Sequence, residues 1–218
     1  QIAVAEAFVL GERLGLDPAE RRELPKAPLR ELLRSQPAQV LQVLGLGIAQ
    51  NATGYMVLTY IGIHLVREGG YSQTAVTWTA AGVIVFIASC MPLAGILVDR
   101  FGSRPVLIAG LLTAATLAYP AMALMTGHGL AVAAIAFAVF ALCTPLIQVA
   151  TAPLFPSLFD TKVRLTGVAL GFNLSTVLAG GTAAYIATWL IDRTGNSLSP
   201  AYFLIGSSAI GLLALLTI

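Results

Sequence analysis

Charged residues are scarce in this sequence. Of its 218 residues only 10% are Asp, Glu, Lys or Arg, whereas 57% are hydrophobic. A soluble domain has about 25% charged residues, and the mean hydropathy here is +0.86. This shortage of charge excludes an ordinary water-soluble core and predicts a polytopic membrane protein.

Residues that carry enzyme chemistry are also scarce. The two cysteines and two histidines have no metal-ligand spacing, and there is no phosphate-binding loop and no nucleophile elbow. No basic patch with interleaved aromatic residues indicates nucleic acid. We therefore expect no enzyme activity, no metal, no cofactor and no nucleic-acid partner. His64 and His128 lie near the ends of apolar runs, and we interpret both as interfacial residues.

Six apolar runs follow a more polar N-terminal segment. A spanning helix needs about 20 residues to cross a hydrocarbon core of about 30 Å, and each run is near or above that length. The runs are roughly Val40–Val66, Ala75–Val98, Val106–Met125, Leu130–Leu154, Gly167–Ile191 and Tyr202 to the end. Ser103 and Ser199, each with a proline close behind, mark helix starts. The sequence predicts an all-α membrane protein with a six-transmembrane-helix bundle over residues 38–218.

Residues 1–37 are predicted to form a cytoplasmic segment with short amphipathic helices. Asp17, Pro18 and Glu20 are typical of a helix start. Leucines and charged residues then alternate at helical spacing: Leu29, Arg30, Glu31, Leu32, Leu33 and Arg34. This pattern favours either a helix lying at the membrane surface or a solvated linker helix. Because the chain has no initiator methionine and stops within an apolar run, we expect it to be a piece of a longer protein.

Basic residues are unevenly divided between the two ends of the predicted helices. One end and the N-terminal segment carry Arg13, Arg21, Arg22, Lys26, Arg30, Arg34, Arg100, Arg104, Lys162 and Arg164. The opposite loops carry only Arg67 and Arg193. The positive-inside rule then places both ends of the chain in the cytoplasm, with the bundle in a bacterial cytoplasmic (inner) membrane.

A charged turn between the second and third runs carries the pattern G-x-x-x-D-R-x-G-x-R. Gly95 is expected to let its helix pack closely against a neighbour. Asp99 ends one helix, where it can meet the positive N-terminus of another, and Gly102 permits the tight turn. Arg100 and Arg104 are suited to an anionic inner membrane surface. The alternative is an ordinary basic cytoplasmic loop.

This hinge resembles the loop signature of the major facilitator superfamily, which follows the second and eighth helices. Ser103 stands where that signature usually has a basic residue, which favours the second copy. Further on lie motifs similar to the tenth-to-eleventh helix region of the metabolite:proton symporters: Leu154-Phe155-Pro156, Val163-Arg164, Thr166-Gly167, Gly171-Phe172-Asn173-Leu174 and Gly180-Gly181. The resemblance implies that the chain is the C-terminal half of a twelve-helix carrier. Its partners would be the N-terminal six-helix half, the lipid bilayer, a small-molecule substrate and protons.

A few polar residues interrupt the predicted helices. Polar groups facing lipid are unfavourable, so these residues should line a cavity or a helix contact. We take as cavity candidates Asn51, Tyr55, Trp78, Gln148 and Asn173. The alternative is interhelical hydrogen bonding without a substrate role. Gly167 and Gly171, one turn apart, are expected to serve close helix packing.

No acid lies within any of the six apolar runs. Since proton coupling usually needs a titratable group in the pathway, the coupling group of a symporter would lie in the N-terminal half. The leading hypothesis is a secondary active transporter that moves a small metabolite, such as an organic acid or osmolyte, by alternating access. The alternatives are a transporter-like membrane sensor and, less favoured because no acid, Cys or His pair converges in the runs, a membrane enzyme.

Overall fold

The computed structural model describes residues 28–218, which form an all-helical bundle. Its helices are α1 Pro28–Ser35, α2 Pro37–Tyr55, α3 Ile61–Arg67, α4 Gln73–Phe101, α5 Ser103–Leu124, α6 Leu130–Ala141, α7 Cys143–Ser157, α8 Arg164–Ser175, α9 Ala183–Thr194 and α10 Pro200–Leu216. Two π-helical turns, Met56–Tyr60 and Thr176–Gly180, connect α2 to α3 and α8 towards α9. The helix start predicted at Asp17–Glu20 lies outside the described residues.

For description, helices α2 to α10 are grouped into six segments in chain order. The first is α2 with α3, the second α4, the third α5, the fourth α6 with α7, the fifth α8 with α9, and the sixth α10. Helix α5 begins at Ser103, and α10 begins at Pro200, directly after its N-cap residue Ser199. Both predicted helix starts are confirmed. Helix α1 lies where the Leu29–Arg34 pattern predicted a helix, and it buries Leu32 while Leu29 and Leu33 stay exposed.

Four helical stretches of residues 28–218 are long and apolar enough to cross a membrane. They are Gln73–Phe101, Ser103–Leu124, Leu130–Ser157 and Arg164–Thr194, and Pro200–Leu216 is a shorter apolar helix. Helix α4 alone, with 29 residues, is about 44 Å long at 1.5 Å per residue. The fold is therefore a helical bundle with helices long and apolar enough to cross a bilayer.

Small residues bring the helices of the bundle close together. A side chain at Gly45 or Gly211 of the α2–α10 contact would lie 2.7 Å from Ala214 or Ala49. Gly171 lies against Val43 of α2, where a Cβ would be 2.8 Å away, and Gly167 lies against the Phe159 ring. Close backbone approach through small residues is how membrane helices pack. The helix-packing role predicted for Gly171 is confirmed, whereas Gly167 packs on a residue of the turn between α7 and α8.

The second and fifth segments are the least buried of the long helices. The buried fraction was compared over the most apolar 18 residues of each stretch. It is 17% in α4 and 28% in Arg164–Thr194, compared with 50% in Leu130–Ser157. Large apolar side chains are exposed along both helices, among them Val85 and Ile96 of α4 and Leu165 and Val177 of the fifth segment. These two segments leave broad apolar faces without a partner among residues 28–218.

Candidate functional site

The first and fifth segments are joined at mid-bundle by a buried hydrogen-bond cluster around Asn51. The Asn51 side-chain amide donates to the Gly47 carbonyl and to Ser175 Oγ, both at 3.0 Å. Thr176 Oγ1 donates to Asn51 Oδ1 at 3.3 Å. Because Gly47 has no side chain, Ser175 can approach α2: a Cβ at Gly47 would lie 2.3 Å from Ser175 Oγ.

A second polar contact joins the first and fourth segments at the same level. Thr151 Oγ1 lies 2.9 Å from Gln50 Oε1 and can donate to it. One turn earlier on α7, the half-buried Gln148 amide nitrogen lies 3.7 Å from where a Cβ on Gly54 would be. The Gln148 side chain therefore lies over the α2 backbone.

Tyr55 makes a further contact between the first and fifth segments. Its ring packs on Gly180, where a Cβ would lie 2.7 Å from Tyr55 Cε2, and the side chain is 42% exposed. We call the polar side chains at these contacts of the first segment with the fourth and fifth segments the polar belt. Its members are Gln50, Asn51, Tyr55, Gln148, Thr151, Ser175 and Thr176.

Both π-helical turns flank the polar belt. One begins at Met56, directly after Tyr55, and the other begins at Thr176, directly after Ser175. A π turn adds a residue to one turn of helix and is frequent at functional sites. The regular helical hydrogen-bond pattern therefore changes beside the belt in both of these segments.

Two of the five predicted cavity residues lie away from these contacts. Trp78 is 75% exposed near the start of α4. Asn173 is exposed on α8, donates to the Ala169 carbonyl of its own helix at 2.8 Å, and lines an open, mostly apolar groove of about 630 Å³. Asn51 and Tyr55 lie at contacts of the first segment with the fifth, and Gln148 lies against the first segment from the fourth, whereas Trp78 and Asn173 are exposed.

Four belt residues, including Thr176 directly after Ser175, were not among the five predicted cavity residues. Gln50 directly precedes Asn51, Thr151 follows Gln148 by three positions, and Ser175 follows Asn173 by two. Each is a polar residue within an apolar run, so the criterion that selected Asn51 and Gln148 could also have selected it. Their partners, however, depend on which helices are neighbours in space.

The charged hinge forms a tight turn between α4 and α5. Gly102, with φ 86° and ψ 163°, separates the two helices in a conformation suited to glycine. Asp99 and Arg100 are exposed, and the Arg100 guanidinium lies 5.4 Å from the centre of the Phe101 ring. A side chain at Gly95 would meet no atom of residues 28–218 within 4 Å.

Arg104 has a protein partner. Its Nη2 donates to the Ile218 backbone carbonyl at 2.9 Å, after the end of α10.

Within residues 28–218, no group of three or more His, Cys, Asp or Glu side chains is placed to hold a metal ion. The belt consists of amides, hydroxyls and a phenol. Such groups can bind a small polar solute by hydrogen bonds, but they supply neither a nucleophile with its base nor a charged acid–base pair.

Comparison with known proteins gives the family. The sequence profile of the family described as "Sugar (and other) transporter" matches residues 12–218. The chain belongs to this transporter family. The assignment confirms the membership of the major facilitator superfamily that the hinge indicated. Because members of this superfamily are transporters, it also confirms that the chain is not an enzyme.

The relatives it matches are bacterial membrane transporters. The "Proline/betaine transporter" of Salmonella typhimurium is 30% identical over 203 residues, which is 93% of this chain and 39% of the relative. The "Glycine betaine/proline/ectoine/pipecolic acid transporter OusA" of Dickeya dadantii is 30% identical over 87% of the chain and 38% of the relative. The "Ectoine/proline transporter ProP" of Corynebacterium glutamicum is 29% identical over 80% and 35%.

The chain spans about two fifths of the length of the curated relatives it matches. No solved structure matches it significantly. The family and the apolar helices together identify it as part of an integral membrane transporter.

Proposed function

We propose that this chain is the C-terminal six-helix half of a twelve-helix secondary transporter that moves a small zwitterionic osmolyte across the bacterial inner membrane by alternating access. The observation that carries the proposal is the polar belt at mid-bundle, in a chain whose relatives are named as transporters of proline, betaine and ectoine. Carriers of this kind bind solute near the bilayer midplane, between two repeats that rock against each other.

The chemistry of the belt favours a zwitterion over an anion. Amide and hydroxyl donors such as those of Gln148 and Tyr55 can hydrogen-bond a carboxylate, and an aromatic face can bind a quaternary ammonium group. The apolar runs contain no Lys or Arg, so the belt has no fixed cation to neutralise an organic dianion. A zwitterion has no net charge and needs no such cation. Of the two solute classes expected from the sequence, an organic acid or an osmolyte, we therefore propose the osmolyte.

The exposed faces of α4 and of the fifth segment support a second six-helix half as partner. Apolar side chains line both faces, and the exposed Asp99 lies in the last turn of α4. We infer that the N-terminal half packs on these faces, and that Asp99 docks on a helix of that half in one state and releases in the other. The distribution of basic residues supports cytoplasmic placement of this hinge.

Proton coupling is proposed through the N-terminal half. The polar belt contains no carboxylate and no histidine, so it has no group that titrates near neutral pH. The coupling group is then expected on the opposite half of the carrier, facing the same central space.

The test is solute flux by the full-length protein in proteoliposomes. The panel is proline, glycine betaine, ectoine, 2-oxoglutarate and a hexose, each with and without an inward proton gradient, with equilibrium binding measured in parallel. We expect accumulation of at least one of the three zwitterions, faster with the gradient. Binding without flux would identify a transporter-like sensor and overturn the proposal, and preferential uptake of 2-oxoglutarate would overturn the osmolyte assignment.

A further inference from the structure

The short helix α1 is fixed to the bundle by side-chain contacts. Leu32 is fully buried, and its carbonyl accepts a hydrogen bond of 2.8 Å from the Gln36 backbone. The Gln36 side chain donates to the Asp160 carboxylate and accepts from the Asp160 backbone N–H at 3.3 Å. Because Asp160 lies in the turn between α7 and α8, these contacts hold α1 at one place on the bundle.

Helix α1 lies at the same end of the bundle as the charged hinge. Gln42, in the second turn of α2, donates to the Thr217 carbonyl at 2.9 Å, and the next carbonyl, that of Ile218, accepts from Arg104 of the hinge. Only Gln36 separates α1 from α2, the first helix of the first segment. Since α1 is joined so directly to a membrane segment, it lies close to the bilayer surface.

The outward side of α1 has a pair of leucines next to a pair of arginines. Leu29 and Leu33, one turn apart, are 49% and 51% exposed. Arg30 and Arg34 are also exposed and one turn apart, and each follows its leucine around the helix by about 100°. The four side chains line one open depression in the surface. The acid of α1, Glu31, is exposed on the side of the helix away from the leucines.

This arrangement fits the boundary between the headgroups and the acyl chains of a bilayer. A helix in that boundary buries its apolar face by about 5–10 Å, which removes the two leucines from water. The arginine stems then run along the apolar layer while the guanidinium groups stay at the headgroups, where they can make paired hydrogen bonds with a phosphate. A soluble phosphate compound would satisfy the arginines only and leave the leucines exposed. The two pairs together favour an anionic phospholipid.

We propose that α1 lies in the membrane surface and binds an anionic phospholipid, with Leu29 and Leu33 among the upper acyl carbons and Arg30 and Arg34 at the headgroup phosphate. Of the two interpretations of α1 that the sequence left open, this selects the surface helix over the solvated linker. The bound lipid is connected to the bundle, because Gln36 joins α1 to the turn before the fifth segment. That the lipid belongs to the inner leaflet rests on the proposed function.

Electron paramagnetic resonance of the full-length protein in nanodiscs tests the position of α1. In a cysteine-free form, Leu33→Cys and Glu31→Cys each carry a nitroxide label. Relaxation is measured with oxygen, which concentrates in lipid, and with a water-soluble nickel chelate. We expect oxygen to dominate at position 33 and the nickel chelate at position 31. Dominance of the nickel chelate at both positions would show a solvated linker, and protection of position 33 from both reagents would show a protein contact; either result overturns the proposal.

Quenching by brominated lipids tests the choice of headgroup at the same place. Leu33→Cys carries a bimane fluorophore, and the nanodiscs contain brominated phosphatidylglycerol or brominated phosphatidylcholine with identical chains. We expect phosphatidylglycerol to quench at the lower mole fraction. Adding Arg30→Gln and Arg34→Gln should reduce this preference by about tenfold, whereas Arg30→Lys with Arg34→Lys should keep most of it. Glu31→Gln is the matched control on the same helix and should not weaken it.

Two quenching results would overturn the lipid site. One is equal quenching by the two lipids when both arginines are present, and the other is a preference for phosphatidylglycerol that survives replacement of both arginines by glutamine. Neither spectroscopic measurement involves a solute. If the full-length protein moves no solute, the proposed function fails while these measurements still decide whether α1 binds anionic lipid.

Discussion

Asn51 and Ser175, 124 positions apart, meet at mid-bundle with the Asn51 amide nitrogen 3.0 Å from Ser175 Oγ. Ser175 directly precedes the π-helical turn Thr176–Gly180, and Asn51 lies five positions before the one that begins at Met56. One buried hydrogen bond thus joins the first and fifth segments close to both departures from regular α-helix. The polar belt extends from this pair to Tyr55 on one side and to Gln148 on the other.

Replacing Asn51 with leucine should destabilise the protein. The change removes two hydrogen bonds between segments, and in membrane bundles each such bond is worth about 0.6–2 kcal/mol. The measurement is the thermal unfolding midpoint of the full-length protein in detergent. Asn173→Leu is the matched control, because Asn173 is exposed and bonds only to its own helix. Equal midpoints for the two variants would show that the Asn51 cluster does not hold the segments together.

Gly47→Ala should also destabilise the protein, although alanine favours helix. A Cβ at this position would lie 2.3 Å from Ser175 Oγ and 2.8 Å from Ser175 Cβ, and such overpacking costs about 1–3 kcal/mol. Adding Ser175→Gly should recover part of the loss in the same thermal assay. The control is Gly206→Ala, since a Cβ there meets no described atom within 4 Å. If Gly47→Ala matched that control, the close approach of α2 and α8 would be wrong.

A side chain at position 102 should destabilise the protein. Its φ of 86° with ψ of 163° lies in a region open almost only to glycine, and forcing another residue there costs about 1–3 kcal/mol. We expect Gly102→Ala to lower the thermal midpoint even though a Cβ would meet no described atom. The neighbouring Ser103→Ala should leave it unchanged, because Ser103 is an ordinary first residue of α5. A tolerated alanine at 102 would argue for a different turn.

Asp99→Asn should slow uptake strongly while leaving solute binding largely intact. The reason is the proposed docking of Asp99 on the other half, which affects interconversion between states rather than the solute site. Initial uptake rates and equilibrium binding are measured side by side on full-length protein. Glu31→Gln, an exposed acid of α1, serves as control. Wild-type rates in Asp99→Asn would remove the hinge from the mechanism.

The positions of the helices followed from charge and turn residues. Because charged residues avoid the bilayer interior, the turns that contain Arg67, Asp99 and Arg164 marked where helices had to end. Ser103 and Ser199 then placed two helix starts to within one residue. Gly167 and Gly171 indicated close packing, although only the structure identified Phe159 and Val43 as what they pack against.

The polar belt could be predicted only in part, since a helical wheel does not say which helices are neighbours. Asn51 and Gln148 were selected as polar residues in apolar runs, but their partners Ser175 and Gly54 lie on other segments. The π turns were not predictable because their extra residue depends on contacts between segments. The burial of His64 could not be predicted for a similar reason, because α9 and α5, which lie near it, are distant in sequence.

The central claim is that the polar belt lines the solute path of an alternating-access carrier. The most direct measurement is the reactivity of Gln148→Cys, in a cysteine-free form of the full-length protein, towards a membrane-impermeant thiol reagent. It is applied to right-side-out and inside-out vesicles, with Ala150→Cys, at a fully buried position of the same helix, as control. We predict that Gln148→Cys reacts from both sides, is protected by proline or betaine, and that Ala150→Cys stays unreactive. Reaction from one side only, unaffected by any solute that the protein binds, would contradict the account.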